Sequence, residues 1–108
     1  MELGWYRDFL ERLQWHAGVF NQSQKDQSLN WSYSRRWIIV RRNGSCLMIN
    51  WNDGSFFTIK KSTGEGQFKE LETWHTTKDG LQVTAESSPV PLDAAQAAAA
   101  FFKLCLSL

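Results

Sequence analysis

The dipeptide Asn43-Gly44 constrains the fold more than any other part of this 108-residue chain. Asparagine followed by glycine is favoured in two-residue type I′ hairpin turns, because both turn positions need a positive φ. The residues on either side alternate between apolar and polar, which is the period of a β-strand. The turn therefore predicts an antiparallel hairpin, and its cross-strand pairs are Val40 with Leu47 and Ile38 with Ile49.

Two further turn sequences extend this hairpin into a meander. Residues 52–54 (Asn-Asp-Gly) and 78–80 (Lys-Asp-Gly) both suit a three-residue loop with glycine in the left-handed position. We therefore expect about five antiparallel strands within residues 31–87. The cross-strand pairs that these loops predict are Trp51 with Ser55, Ile49 with Phe57, and His75 with Val83.

Helical patterns flank the strand region on both sides. Residues 1–20 carry apolar side chains at three- and four-residue steps, and residues 21–30 form a polar connector. Residues 91–108 are rich in alanine, and the prolines at 89 and 91 stand where a helix often starts. The sequence therefore predicts one α+β domain over residues 1–108: an N-terminal helix, an antiparallel meander and a C-terminal helix.

Strand alternation sorts the side chains of the meander onto two faces. One is a predicted core face, which also takes His75: Ile38, Val40, Leu47, Ile49, Trp51, Phe57 and Ile59, continued by Leu71, Leu81 and Val83 if the fourth strand keeps phase. The other face mixes aromatic, apolar and basic side chains: Trp31, Tyr33, Arg35, Trp37, Ile39, Arg41, Cys46, Met48, Phe56 and Lys60. This second composition fits neither an ordinary solvent face nor an ordinary core.

Basic residues are concentrated in the same region of the chain. Residues 31–61 hold six lysines and arginines against Asp53 alone, although the net charge of the whole chain is +1. A net charge this small argues against a protein whose entire surface is built to bind nucleic acid. The basic charge is therefore expected to act locally, on the second sheet face.

Residues able to carry out catalysis or bind a cofactor are scarce. The two histidines, His16 and His75, both fall on predicted apolar faces, where a packed and hydrogen-bonded imidazole is expected. Cys46 and Cys105 are too far apart for metal-type spacing, and no phosphate-loop, HExxH, CxxC or GxSxG motif occurs. We expect a protein that is not an enzyme and that has no cofactor and no metal site.

The second sheet face is instead typical of a binding surface. Tryptophan, tyrosine and arginine are enriched as anchors of protein interfaces, and the same combination binds single-stranded nucleic acid on sheet platforms. The pI of 7.8 favours a protein partner with an acidic surface, and single-stranded nucleic acid is the alternative. The predicted partner-binding residues are Arg35, Trp37, Arg41, Phe56, Lys60 and Tyr33, together with Trp15 on the polar side of the first helix.

A purely structural interpretation of the second face is also open. If each sheet face carries one helix, the large side chains of the second face are core, and Glu70, Glu72 and Glu86 could neutralise the arginines. The last helix is apolar over most of its circumference, so a homodimer through it is compatible with every interpretation. Neither terminal segment is continuous or apolar enough for a membrane anchor, and we expect no membrane association and a cytoplasmic location.

Overall fold

The protein combines two helices with one antiparallel sheet, as seen in a computed structural model that describes residues 3–23, 29–34, 36–52, 56–62, 67–77, 82–86, 88 and 90–108. The helices are α1 (Leu3–Ser23) and α2 (Ala94–Cys105). The strands are β1 (Asn30–Tyr33), β2 (Trp37–Arg42), β3 (Ser45–Asn52), β4 (Phe56–Ser62), β5 (Lys69–Thr76), β6 (Val83–Ala85) and β7 (Pro91–Leu92). Each strand pairs with the next along the chain. The predicted α+β class is confirmed, but the described residues form seven strands rather than about five.

The additional strands lie at the two edges of the sheet. Residues 31–42, expected as one strand, form β1 and β2, which pair with each other as a hairpin. The backbone N–H of Ser34 donates to the carbonyl of Trp37 at 2.8 Å and closes this turn. At the opposite edge, β7 begins with a proline, which lacks an N–H and is tolerated on an edge strand.

The hairpin around Asn43-Gly44 has the predicted register. Both turn residues have positive φ, 53° for Asn43 and 77° for Gly44. Val40 lies opposite Leu47 and Ile38 lies opposite Ile49, as the turn type requires. A short turn therefore determined the pairing of β2 with β3 along its whole length.

The other two predicted registers are wrong. Trp51 pairs with Phe57 rather than Ser55, and this two-residue difference leaves every side chain on its predicted face. Between β5 and β6, Thr76 pairs with Val83, so His75 lies opposite Thr84. That one-residue difference moves His75 off the core face, because strand side chains alternate. Residues 53–55 and 78–81 lie outside the described residues.

A β-bulge interrupts the pairing of β4 with β5. Ile59 pairs with Glu72 and Lys60 pairs with Glu70, which leaves Leu71 without a partner in the ladder. Leu71 is exposed, so its assignment to the core was wrong. The bulge also places Glu70 and Glu72 on opposite faces of the sheet. Leu81, another predicted core residue, is among the residues the structure does not describe.

Both helices pack on the same face of the sheet. Phe9 of α1 contacts Phe101 of α2 at 6.1 Å and Trp74 of β5 at 6.4 Å between ring centroids, so the three elements share one core. The buried side chains of this core include Trp5, Phe9, Leu13, Ala97, Ala98, Phe101, Ile38, Val40, Leu47, Ile49, Phe57, Ile59, Trp74 and Val83. The interpretation with one helix on each face is therefore wrong. The broad apolar surface of α2 is covered by the sheet on one side and by α1 on the next.

The ends of the helices differ from the sequence prediction by a few residues. α1 continues to Ser23, and the side chain of Asn21 exchanges two hydrogen bonds with the backbone of Leu29, at 2.7 and 3.0 Å. The polar connector is therefore shorter than residues 21–30. α2 begins at Ala94 because Asp93 and Gln96 form a capping box in which each side chain accepts from the other's backbone N–H.

Candidate functional site

The face of the sheet opposite the helices, here called the outer face, is the candidate site. Residues directly opposite each other on neighbouring strands share a face, so the registers map it row by row. One row runs Ser32, Ile39, Met48, Lys60, Glu70; the next runs Trp37, Asn50, Thr58, Thr73; and a third runs Phe56, His75, Thr84, Pro91. No helix in the described part of the chain packs on these rows.

Four large apolar side chains lie on the outer face. Trp37 and Ile39 are neighbours along β2, and Ile39 lies directly opposite Met48 on β3. Phe56 follows on β4, and its ring centroid lies 6.0 Å from that of His75. All four are half-buried, which means that neighbours on the sheet cover them only in part. Trp37, Ile39 and Met48 adjoin one another, whereas Phe56 lies two rows away on β4. Contiguous apolar area such as that of the first three marks interaction surfaces more often than scattered single residues do.

Charge is distributed unevenly across the outer face. Arg41 of β2 is exposed and Lys60 of β4 lies beside Met48, so the half of the sheet towards β1 is basic. Glu70 lies across from Lys60 on β5 and accepts a hydrogen bond from the Thr73 hydroxyl at 2.9 Å. Glu70 therefore places negative charge on the half of the outer face towards β7.

A histidine and a glutamate complete the acidic side. The Nε2 atom of His75 lies 3.4 Å from a carboxylate oxygen of Glu86, and both side chains are exposed. Glu86 and Glu70 thus share the outer face, as predicted, whereas Glu72 pairs with Ile59 and lies on the helix side. The outer face is therefore polarised across the strands rather than uniformly basic.

Trp31 and Tyr33 do not belong to the outer face. Trp31 lies opposite Val40 and Tyr33 opposite Ile38, so both point to the helix side, where their rings stack at 5.5 Å. The sequence prediction treated β1 and β2 as one strand and continued the alternation of faces from one to the other. The turn between them breaks that alternation. Tyr33 remains more than half exposed at the edge of the sheet.

Tyr33 instead lies near Tyr6 of α1. The hydroxyl of Tyr6 donates to the carbonyl of Ser34 at 2.8 Å, which ties α1 to the turn that precedes β2. Burial, and in smaller part the charge of a nearby Tyr33, raises the pKa of Tyr6. The hydroxyl of Tyr6 therefore ties the end of the edge strand β1 to α1. Arg35, which was grouped with them, lies outside the described residues.

Trp15 lies on the other side of the molecule. It is an exposed residue of α1, as predicted, and its ring contacts His16 at 5.1 Å. Because α1 packs on the helix side of the sheet, Trp15 cannot share a surface with the outer face. The structure thus brings together Trp37, Arg41, Phe56 and Lys60 among the predicted partner-binding residues, and it separates Tyr33 and Trp15 from them.

Several polar residues of the outer face were missed by the sequence analysis. His75 was missed because the register of β5 with β6, which pairs His75 with Thr84, could not be derived from the loop sequence alone. Thr58 and Thr73, which pair with each other, are buried although they belong to the outer face, since larger neighbours flank them. Their β-branched side chains were a signal for a strand but not for a particular face.

The described residues contain no group of three or more histidine, cysteine, aspartate or glutamate side chains that could hold a metal ion. Neither α1 nor α2 combines the length and the apolar composition needed to cross a bilayer. A scan of protein-family models and searches of the curated proteins and of the solved structures gave no match to this chain. The interpretation of the outer face consequently depends on its own chemistry.

Proposed function

We propose that this chain is a non-enzymatic binding protein, of the inhibitor, immunity or adaptor type, whose outer face binds another protein. One observation carries the proposal: both helices pack on the opposite face and leave the adjoining side chains of Trp37, Ile39 and Met48 half-covered, with Phe56 half-covered elsewhere on the same face. The cytoplasm stays the predicted location of this activity.

The hydrophobic effect gives this patch a reason to bind. Burying a large apolar side chain completely contributes about 1.5–3 kcal/mol, and these side chains have realised only part of that gain in the folded chain. A partner that covers these side chains gains the remaining burial free energy of several of them at once. Tryptophan, phenylalanine and methionine are also the residue types enriched at the centre of protein interfaces.

The charges on the outer face indicate what kind of partner surface it would bind. Arg41 and Lys60 would meet acidic side chains of the partner, while Glu70 and Glu86 on the far strands would repel them. We therefore expect a partner surface with an apolar centre and carboxylates placed over β2 to β4. Such complementarity contributes mainly to the rate of association and to specificity.

Single-stranded nucleic acid is the weaker candidate for the same face. The rings of Trp37 and Phe56 could stack on bases, and Arg41 and Lys60 could contact phosphates. However, the carboxylates of Glu70 and Glu86 stand on the same face and would repel a polyanion. Nucleic-acid platforms are by contrast positively charged along the strand that they hold.

A matched pair of variants tests the proposal. Met48→Glu places a charge in the centre of the outer face, whereas Gln14→Glu places the same charge on the exposed side of α1. We expect the tagged wild-type chain and Gln14→Glu to capture the same protein from source cells, and Met48→Glu to lose it. Equal thermal midpoints would show that the variants are folded. Capture of the same protein by Met48→Glu would contradict the proposal.

A second measurement separates the two candidates. Fluorescence anisotropy with labelled single-stranded DNA and RNA should show no binding at concentrations up to about 50 μM at physiological salt, well above the constants of specific complexes. Binding that weakens with added salt and is lost in Trp37→Ala would favour nucleic acid over a protein partner.

A further inference from the structure

The exposed surface formed by α1 and α2, here called the helical face, carries a second apolar patch. Trp15 is 62% exposed and Val19, one turn further along α1, is 49% exposed. At the C-cap of α2, Leu106 is 41% exposed, and Ala95 and Ala99 of α2 are exposed small residues that line up with it at helical spacing. This patch lies on the side of the molecule opposite the outer face, so the proposed function does not use it.

The Trp15 ring is supported by a series of ring contacts. It meets the His16 ring edge-on at 5.1 Å, and His16 stacks on Phe102 of α2 at 5.1 Å. Phe102 also contacts Phe20 at 6.0 Å. The exposed indole is therefore positioned by neighbours, and an anchor that is already ordered loses little conformational entropy on binding.

A cleft lies on the same helical face, between the N-terminal halves of the two helices. Its volume is about 390 Å³, and it is lined by Asp8, Glu11, Arg12, Asp93, Ala94 and Ala95. Arg12 is three residues from Trp15 on α1, so the cleft and the indole are about one to two helical turns apart, roughly 5–10 Å. Residues 8–12 of α1 lie beside residues 93–95 of α2 at the cleft, and His16 and Phe20 contact Phe102 further along both helices. The two helices therefore run in the same direction.

The lining of the cleft matches the chemistry of an indole. The methyl groups of Ala94 and Ala95 offer a flat apolar wall, and the guanidinium of Arg12 can lie over the ring as a cation–π partner. The carboxylates of Asp8 and Glu11 can accept the indole N–H, which needs an acceptor when it is buried. The cleft thus offers contacts to both the apolar ring and the polar N–H of an indole.

We propose that two copies of this chain associate through the helical face, with Trp15 of each copy entering the cleft of the other. The indole and the cleft lie on one face and are displaced from each other along α1. A two-fold axis near Arg12 therefore places both indoles in both clefts at once, as an isologous interface requires. The net charge of +1 per chain adds little long-range repulsion, but the cleft of each copy holds three carboxylates, Asp8, Glu11 and Asp93, against the one guanidinium of Arg12. Like charges therefore approach across the axis, and added salt should strengthen the dimer.

The size of the surface sets the strength of the association. α1 has 21 residues and α2 has 12, which makes them about 31 and 18 Å long. With a helix width of about 10 Å, the helical face offers roughly 500 Å² per copy, near the lower limit of about 1,000 Å² in total for a specific interface. The dimer is therefore weak and reversible, with a dissociation constant on the order of tens of micromolar.

Sedimentation velocity over about 5–500 μM tests the dimer, because this range spans the expected constant. The wild type shifts from monomer to dimer with concentration, and Trp15→Ala and Ala95→Glu, which remove the indole and obstruct the cleft, each raise the dissociation constant at least tenfold. Phe68→Ala, which removes an exposed ring outside both helices, leaves the constant unchanged. A wild type that stays monomeric throughout, or a Trp15→Ala variant that dimerises like the wild type, overturns the proposal.

A distance measurement tests the geometry independently of affinity. Gly18 is exposed on α1 and a Cβ atom there meets no neighbour within 4 Å, so a spin-labelled Gly18→Cys fits without distortion. Cys46→Ser removes the second reactive thiol, while Cys105 stays protected because burial raises its pKa to about 12. Pulsed dipolar spectroscopy should give one distance of about 20–30 Å, from two labels each some 9 Å along the helix from the axis. No such distance at high concentration, or its persistence in Trp15→Ala, overturns this arrangement.

Discussion

Ile39 and Met48 lie directly opposite each other on β2 and β3, and their side chains occupy the face of the sheet that neither helix covers. The adjacent pair, Val40 and Leu47, points the other way and is buried beneath the helices. A single hairpin thus supplies apolar side chains to the core and to the candidate binding surface. The two pairs should therefore respond differently to the same substitution.

Truncation of the two faces should separate stability from binding. Leu47→Ala removes a fully buried side chain and should cost about 2–5 kcal/mol. Met48→Ala removes a half-covered side chain and should cost about 1 kcal/mol or less, because part of its area is already in water. Urea unfolding of both variants gives the comparison. Equal losses would mean that the outer face is covered in solution.

Turn chemistry explains which parts of the fold could be predicted from sequence. Asn43-Gly44 favours a two-residue turn in which both residues have positive φ, so the register of β2 with β3 could be predicted from it. No comparable signal marks the turn between β1 and β2, which the hydrogen bond from Ser34 to Trp37 closes, and Tyr33 was therefore assigned to the wrong face. The bulge beside Leu71 is likewise set by packing of β4 against β5 rather than by local sequence.

The position of the helices could not be predicted for a different reason. The periodicity of α1 and α2 showed how much of each helix is apolar, but not which face of the sheet each one covers. That choice depends on the contact of His16 and Phe20 with Phe102, which forms only when both helices lie on one side. The candidate site follows directly from this long-range choice, so the sequence could name Trp37 and Phe56 without showing that they are uncovered.

The neighbouring arginines of β2 should behave differently on substitution. Arg42 donates from Nη1 to the carbonyl of Leu106 at 3.2 Å, and its guanidinium carbon lies 5.1 Å from the centre of the Phe20 ring. Arg42→Ala should therefore cost about 1–2 kcal/mol, from one charge-assisted hydrogen bond and one cation–π contact. Arg41→Ala, on the exposed outer face, should change stability by no more than about 0.5 kcal/mol. Thermal unfolding of the two single variants checks this, and a larger loss for Arg41→Ala would argue against the assignment of faces.

Stability should fall at high pH because of Cys105. Burial raises the pKa of this thiol from its usual 9.0 to about 12, so the unfolded chain releases the proton earlier than the folded chain does. The stabilising contribution is complete below pH 9 and is lost between about pH 9 and 12, with a slope of up to about 1.4 kcal/mol per pH unit. Cys105→Ala should lower stability at neutral pH, because it leaves a small cavity, but should show a shallower decline above pH 9. Parallel curves for the two proteins would contradict the burial of the thiol.

The pair of cations on the outer face should act on binding rather than on folding. Reversal of Arg41 and Lys60 together to glutamate should reduce affinity for an acidic partner at least a hundredfold, since like-charge contacts at an interface cost several kcal/mol. The denaturation midpoint should change little, because a glutamate at position 60, directly opposite Glu70, would cost about 1 kcal/mol or less. Measuring affinity and midpoint on the same sample decides the point. Intact binding by a less stable double variant would show that these cations only balance charge within the chain.

Site-specific photo-crosslinking tests the central claim most directly, because it reports what touches one chosen residue inside the cell. A photoreactive phenylalanine derivative replaces Met48 in the centre of the outer face or, as a control, Gln14 on the exposed side of α1. We expect irradiation to yield a discrete covalent adduct with one other protein at position 48 and no adduct with that protein at position 14, where a crosslink to a second copy of this chain is compatible with the dimer proposed above. An adduct of the other protein at position 14 rather than 48, an adduct at position 48 with nucleic acid or a second copy of this chain, or no adduct at position 48 would contradict the account of the outer face as a protein-binding surface.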